Sequence, residues 1–154
     1  MGENENRQYR ADAAILPGQL TFIDVDDNST VTFAVSDGAS IPSGFALNSD
    51  GSYSFDPSDA AYQHLNVGDT EVLTIPVTVT DDQGATDTTQ IQITVTGTND
   101  APVAGDDVTA SVEEGTTIFT GQLTSSDVDD GATASFTVSA STIPPAGFIL
   151  SNDG

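Results

Sequence analysis

The sequence predicts an all-β protein built from tandem β-sandwich modules, and three observations lead to that class. First, residues 18–51 recur as residues 121–154 without a gap, 103 positions further along, and 18 of the 34 pairs are identical. A period of about 100 residues has the size of a whole domain rather than of a short solenoid repeat. Second, apolar and polar residues alternate along several short segments. Third, frequent turn signals separate those segments.

The strands can be justified in chain order, either by alternation or by the repeat. Residues around 4–10 and 13–22 are predicted to form two strands by analogy with residues 107–113 and 116–124 of the second copy. Alternation predicts three strands around Val31-Phe33-Val35, Leu73-Ile75-Val77-Val79 and Ile91-Ile93-Val95. Two more, Phe45-Leu47 and Tyr53-Phe55, flank the hairpin turn signal Ser49-Asp50-Gly51. Only residues 59–65 could hold a helical turn.

Seven short strands with frequent turns are typical of an immunoglobulin-like Greek-key sandwich. Residues 1–100 then form one complete module, and residues 101–154 form the N-terminal half of a second copy. We expect the natural protein to continue past residue 154. Half a sandwich has an unpaired edge and half a core. We therefore expect residues 104–154 to be poorly ordered alone, or to be completed by strands of another molecule, including another copy through domain completion or swapping.

The composition excludes several classes of function. The chain has no cysteine, and its 24 acidic residues face only two basic ones, which gives a formal net charge of −22. Such a chain cannot neutralise phosphate, so nucleic acid and anionic membrane are poor partners. No apolar run is long enough to span or insert into a membrane. Clustered carboxylates without basic partners repel unless cations come from solution, which points to calcium.

If successive strands alternate in direction, the acidic loops gather at the two ends of the module. One end receives residues 24–28, 49–51 and 80–86, and the other receives residues 10–12, 55–70 and 97–102. In a row of modules, the second end of one module meets the first end of the next. The predicted junction site for calcium therefore consists of Asp56, Asp59, Asn99 and Asp100, facing Asp127, Asp129 and Asp130. Further acids lie at the outer ends: Asp24, Asp26, Asp27, Asp81, Asp82, Glu113 and Glu114.

Three segments carry a resemblance to a known family. They are Gly51-Ser-Tyr-Ser-Phe-Asp56, Thr78-Val-Thr-Asp-Asp-Gln-Gly84 and, above all, Thr96-Gly-Thr-Asn-Asp-Ala-Pro-Val103. These segments resemble VCBS repeats, the bacterial cadherin-like modules found in tandem in large secreted adhesins of the RTX type. The resemblance implies a β-sandwich, an extracellular or cell-surface location, and calcium at the junctions with neighbouring modules.

The resemblance to cadherins also extends to single positions. Asn99-Asp100-Ala101-Pro102 is similar to the acidic linker before proline, and Asp127-Val128-Asp129 to the Asp-x-Asp loop of the following module. Asp56 and Asp59 stand where cadherins place an acidic pair, and Glu113-Glu114 matches their first acidic loop. The first copy departs from this pattern, because Arg10 and Ala11 replace the two glutamates and leave Asp12 as the only nearby acid.

The function predicted is that of an extender: calcium stiffens the junctions of a cell-surface adhesin that serves cell adhesion or biofilm formation. The alternatives are a module that itself binds a glycan or a protein, and an accessory module of a secreted hydrolase. No catalytic role is expected, because the acids lie in polar loops that keep carboxylates hydrated rather than in an apolar site that raises a pKa. His64, the only histidine, is expected to be a partly buried turn residue.

Overall fold

A computed structural model describes residues 5–11, 14–23, 29–115 and 117–154 of the chain. It divides into two compact units, Met1–Asn99 (unit 1) and Asp100–Gly154 (unit 2). The strands of unit 1 are β1 (Glu5–Arg10), β2 (Leu16–Gln19), β3 (Val31–Val35), β4 (Phe45–Leu47), β5 (Ser52–Phe55), β6 (Thr70–Asp81) and β7 (Thr86–Thr96). Unit 2 contributes β8 (Val103–Ala104) and β9 (Ser125–Ser126).

Unit 1 is an immunoglobulin-like β-sandwich, as the sequence predicts. Its larger sheet has the strand order β1-β7-β6-β3, and its smaller sheet has the order β2-β5-β4. β1 runs parallel to β7, whereas the other paired strands of this unit are antiparallel. A constant-type immunoglobulin domain pairs its first strand with the second. Here the first strand instead joins the sheet that contains the last one.

The β6–β7 hairpin forms the centre of the larger sheet. Leu73 lies opposite Ile93, and Ile75 lies opposite Ile91. Apolar residues alternate with Thr or Gln along both strands, so one face of each strand is apolar and packs inwards. The fully buried residues of this face are Ile75, Val77, Ile91, Ile93 and Val95. The turn between the strands is closed by Asp81, whose Oδ1 accepts hydrogen bonds from the backbone N–H groups of residues 83 and 85 at 2.9 and 2.7 Å.

Aromatic side chains fill the space between the two sheets. Phe55 is fully buried, with its ring centroid 5.5 Å from that of Tyr62, and the rings of Phe45 and Tyr53 lie 5.9 Å apart. Phe33 completes the cluster from the larger sheet, with only 5% of its surface exposed. This core unites residues that are far apart in sequence, so the sandwich depends on long-range packing.

The segment between β5 and β6 contains turns rather than a helix. Backbone N–H groups of residues 62 and 65 donate to carbonyls three positions earlier, at 3.0 and 3.2 Å. These turns bring Tyr62 into the core at 3% exposure, and its hydroxyl donates to the Ser43 carbonyl at 2.8 Å. No helix in the described ranges is long and apolar enough to cross a bilayer.

Unit 2 contains much less regular structure than the repeat predicts. Its two short strands pair antiparallel, Val103 with Ser126 and Ala104 with Ser125. The predicted strands at 107–113 and 116–124 are wrong, because the described residues of these segments belong to no strand. Their counterparts in unit 1 have partners, since β1 pairs with β7 and β2 pairs with β5. The described part of unit 2 offers them neither partner, and sequence alone does not hold a strand without one.

Candidate functional site

The acidic residues that the structure describes in unit 1 lie mainly at its two ends. Asp50 occupies the β4–β5 turn, and Asp81 and Asp82 occupy the β6–β7 turn, at the end of the unit where β3 begins. Asp56 and Asp59 follow β5 at the opposite end. The centres of β6 and β7, residues 72–80 and 88–96, contain no charged residue. Charge is therefore concentrated where a module would meet its neighbours.

Asp56 and Asp59 are half-buried and shape the turn in which they lie. The Oδ1 atom of Asp56 accepts hydrogen bonds from the backbone N–H and hydroxyl of Ser58, at 3.0 and 2.6 Å. The Oδ1 atom of Asp59 accepts one from the backbone N–H of Ala61 at 2.9 Å. These are the local turns that Asp side chains favour. One oxygen of each carboxylate thus has a structural role, and the carboxylate is held in a fixed orientation.

Unit 2 brings together Asp100, Asp127 and Asp129. Asp129 is the only buried polar side chain in the described ranges, with 9% of its surface exposed. Its Oδ2 accepts a hydrogen bond from the backbone N–H of Asp100 at 3.0 Å. Its own backbone N–H donates to Oδ1 of Asp127 at 3.1 Å. One carboxylate therefore links the loop at 127–129 to the backbone at residue 100.

The second oxygen of Asp129 has no partner within the part of the chain that the structure describes. Oδ1 is buried and accepts no hydrogen bond from the described residues. A buried carboxylate oxygen without a donor is costly, and the cost falls only when a positive group or a donor approaches it. The sequence contains no Lys or Arg after residue 10, and its single histidine is His64. Unit 2 therefore has no cationic side chain of its own to offer.

A metal site at Asp129 would need ligands beyond side-chain carboxylates. No group of three acidic or histidine side chains able to hold a metal ion occurs in the described ranges. Calcium takes six to eight oxygen ligands, which include backbone carbonyls and water as well as carboxylates. Asp127 and Asp129 would supply the acidic part of such a site. Carbonyl and water oxygens would have to complete the coordination.

The other predicted site residues occupy more ordinary positions. Glu113, Glu114 and Asp130 are exposed on unit 2, and Asn99 is exposed at the last residue of unit 1. Asp82 is also exposed and accepts a bond from the Gln83 side chain at 3.2 Å. Asp24, Asp26 and Asp27 lie outside the described residues, as does Asp12. His64 is exposed, so its predicted partial burial is wrong.

Asp50 shapes its turn in a way that sequence reasoning did not single out. Its Oδ1 accepts hydrogen bonds from the hydroxyl and the backbone N–H of Ser52, at 2.6 and 2.9 Å. These bonds lower the pKa of Asp50 below its usual value, with the hydroxyl bond as the larger cause. The Asp-Gly-Ser order in the turn could have indicated this, since an Asp side chain commonly bonds the backbone two residues on.

Two sheets with these strand orders define an immunoglobulin-like β-sandwich module. A family model described as bacterial Ig domain matches residues 4–94, more than half of the chain. The chain belongs to this bacterial Ig domain family. Domains of this kind are typically non-catalytic and commonly occur in extracellular or surface proteins. A search of curated proteins found no match.

Proposed function

We propose that this chain is a calcium-binding extender segment of a large bacterial cell-surface adhesin of the VCBS-containing RTX type. In this proposal, calcium rigidifies the junctions between modules and so supports cell adhesion or biofilm formation. The observation that carries it is the buried, unpartnered Oδ1 of Asp129, in a unit without a cationic side chain. A cation from solution would satisfy that oxygen.

The hydrogen bonds of Asp129 give the proposal a physical mechanism. An ion held at Oδ1 would fix the carboxylate whose Oδ2 accepts the Asp100 backbone N–H. Asp100 follows directly after the last residue of unit 1. Ion binding would therefore restrict the backbone at the start of unit 2. Pro102 favours the same result, because a proline restricts the preceding residue to extended conformations.

The remaining members of the proposed junction site come from the sequence pattern. Asp56, Asp59 and Asn99 of the first module, and Asp130 of the second, are assigned to it as further oxygen donors. The acids at the outer ends are assigned to junctions with further modules: Asp24, Asp26, Asp27, Asp81, Asp82, Glu113 and Glu114.

The expected free energy of calcium binding is sufficient to order the junction between two modules. Extracellular calcium modules commonly bind with Kd of about 0.1–1 mM. At a free calcium concentration of about 100 times Kd, one site stabilises the bound state by about 2.7 kcal/mol. That is a large fraction of the net stability of a small domain, which is about 5–15 kcal/mol.

Calorimetric calcium titration of the full chain tests the proposal. We expect Asp129→Asn and Asp127→Asn each to weaken binding at least about tenfold, because each removes a formal charge from the acidic part of the site. Asp107→Asn is the matched control, since it removes the same charge from an exposed position of unit 2 outside the cluster. We expect it to leave the affinity within about twofold.

Two outcomes would contradict calcium binding at this site. One is the absence of binding heat together with a melting temperature and sedimentation coefficient that a chelator leaves unchanged. The other is equal weakening in Asp107→Asn and Asp129→Asn, which would indicate a diffuse counterion effect rather than a site.

A further inference from the structure

We propose that the parallel pairing of β1 with β7 makes unit 1 a load-bearing module, which resists force applied along the chain. The residue pairs of this contact, from Glu5 with Ile91 to Arg10 with Thr96, are termed the terminal ladder. The proposal deepens the extender role and rests on the proposed function only for the direction of the load. Calcium takes no part in it.

Force enters and leaves the terminal ladder at opposite ends. The chain runs into the ladder at Glu5, the first residue of β1, and runs out of it after Thr96, the last residue of β7. Glu5 is paired with Ile91 and Thr96 with Arg10, so the whole ladder separates entry from exit. Its length is about 17 Å at the usual rise of a parallel strand. Tension therefore pulls the two strands past each other along their length.

This sliding loads the hydrogen bonds of the ladder together. The bonds run between the strands rather than along them, so sliding strains all of them at once. The antiparallel β6–β7 pair is the contrast within the same sheet. Thr70 and Thr96 are paired at its open end, so tension between these two residues would break the bonds one pair at a time. The parallel direction of β1 is therefore what makes the module resistant.

The rest of the sandwich holds β7 in place when β1 is pulled. The second edge of β7 pairs with β6 along its whole length, from Thr86 to Thr96. Its side chains at Ile91, Ile93 and Val95 are fully buried. Displacing β7 would expose this apolar surface to water, which the hydrophobic effect opposes. The load is therefore carried by the bonds between β1 and β7.

Ala11 anchors the end of β1 that lies furthest from the point of entry. It belongs to the core, with 2% of its surface exposed. Its N–H donates to the Thr96 carbonyl at 3.0 Å, and its carbonyl accepts a bond from Nε2 of Gln63 at 3.3 Å. The exit from β7 is held as well, because the Gly97 N–H donates to the Asp69 carbonyl at 2.9 Å. Pulling β1 out has to break the bonds of Ala11 and withdraw it from the core.

The path of the load bypasses the loops of unit 1. Force passes directly from β1 to β7, so the chain between the two strands carries no tension while the ladder holds. The turns that Asp56, Asp59 and Asp81 shape lie in this part of the chain. The acidic ends of the module therefore keep their geometry under load, as an extender requires.

Single-molecule pulling of the full chain in two directions tests the proposal. One handle is attached at the N-terminus and the other at an introduced cysteine, since the chain has none of its own. Ala101→Cys, at an exposed position after β7, loads the ladder in shear. Gln83→Cys, in the exposed β6–β7 turn, reverses the direction of pull on β1. The same bonds are then peeled from Glu5 onwards.

The measurements are made in a chelator at one loading rate. We expect rupture in shear to need at least about twice the force of peeling, because forced unfolding is governed by the barrier along the pulling direction. Rupture in shear should release about 300 Å of chain in one step, the extended length of residues 5–96. Because calcium is absent, this proposal and calcium binding can fail separately.

A matched pair of prolines locates the resistance in the backbone. N–H groups alternate in direction along a strand, and that of Ala11 points at β7. The N–H of Arg7 therefore also points at β7, and that of Gln8 points away. Arg7→Pro should reduce the shear rupture force to about the peeling value, whereas Gln8→Pro should preserve it, since an edge strand tolerates proline where the N–H faces outwards. Arg7→Ala is the control for the side chain and should also preserve it.

Two results would overturn the proposal. The first is an equal rupture force in the two pulling directions, which would mean that the direction of β1 does not matter. This comparison leaves the ladder unmodified, so it decides the question even if a proline variant fails to fold. The second is an equal effect of Arg7→Pro and Gln8→Pro in folded protein, which would mean that the bonds to β7 do not carry the load.

Discussion

Gly18 and Gly121 occupy the same position of the repeat but differ in how closely other residues pack against them. The Gly18 Cα lies against the Tyr53 ring, which is 2% exposed and itself packs on Phe45. A methyl group there has no room unless the ring moves. Gly121 has no such neighbour. Among the described residues, the glycine is therefore closely packed in the first copy and has open space in the second.

We therefore predict that Gly18→Ala lowers the free energy of unfolding by about 1–3 kcal/mol, as overpacking of a core does. Gly121→Ala should change it by less than about 0.5 kcal/mol. Amide hydrogen exchange followed by mass spectrometry at increasing urea concentration measures the difference, because it reports on both units separately. Equal effects of the two substitutions would contradict the difference in packing.

At the scale of elements, the segment between β5 and β6 is held to the sandwich by Tyr62. Its ring contacts Phe55, and its hydroxyl donates to Ser43. Burial, with smaller contributions from the carboxylates of Glu71 and Asp59, raises the pKa of Tyr62 to about 12. The folded state therefore keeps the hydroxyl neutral at a pH at which an unfolded tyrosine ionises, above about 10.

The sign of the pH dependence follows from this shift. The contribution of Tyr62 to stability should be fully present below about pH 10 and lost as the pH rises towards about 12. At pH 8 we expect Tyr62→Phe to cost about 0.5–1.5 kcal/mol through the lost hydrogen bond. Urea unfolding at pH 8 and pH 11 should show this cost shrinking. A cost that stays constant would show that Tyr62 does not ionise on unfolding in this range.

At the scale of the whole molecule, the two units should differ in local stability. Unit 1 has fully buried Ile75, Ile91 and Ile93 at the centre of its larger sheet, whereas the described part of unit 2 has no buried apolar side chain. Regions with few buried contacts open at low free energy.

We predict that amide hydrogen exchange is slow in β6 and β7 and at least about a hundredfold faster around residues 136 and 148. Calcium, if it binds as proposed, should slow exchange at Asp100 and Asp129 in the wild type and in Asp107→Asn, but not in Asp129→Asn. Mass spectrometry of the exchanged chain, with and without a chelator, measures both effects. Strong protection throughout unit 2 in the absence of any partner would contradict the prediction.

Alternation and turn chemistry were enough to predict most of unit 1. The strands around Phe33, Ile75 and Ile93 lie where their alternating side chains place them, since period-two patterns fix which face of a strand turns inwards. The ends at which Asp56 and Asp81 lie follow from alternating strand direction alone. The parallel pairing of β1 with β7 was not predicted, because β1 shows only weak alternation.

The candidate site was predicted only as a group of acids. The sequence identified Asp100, Asp127 and Asp129 as members, but nothing in it distinguished Asp129 from its neighbours. That distinction depends on which oxygen receives a backbone N–H from a residue 29 positions away. Burial and hydrogen bonding of this kind are properties of the folded chain rather than of a local pattern.

The sequence by itself determined the sandwich class, the repeat and the concentration of charge at the ends of unit 1. Each of these follows from short-range order along the chain. Only the tertiary structure showed which carboxylate oxygen lacks a donor among the described residues. It also showed that the second copy forms the turns of a sandwich without its first two predicted strands. The physical reason is that a strand and a buried charge are both stabilised by partners distant in sequence, and the same residues behave differently where those partners are missing.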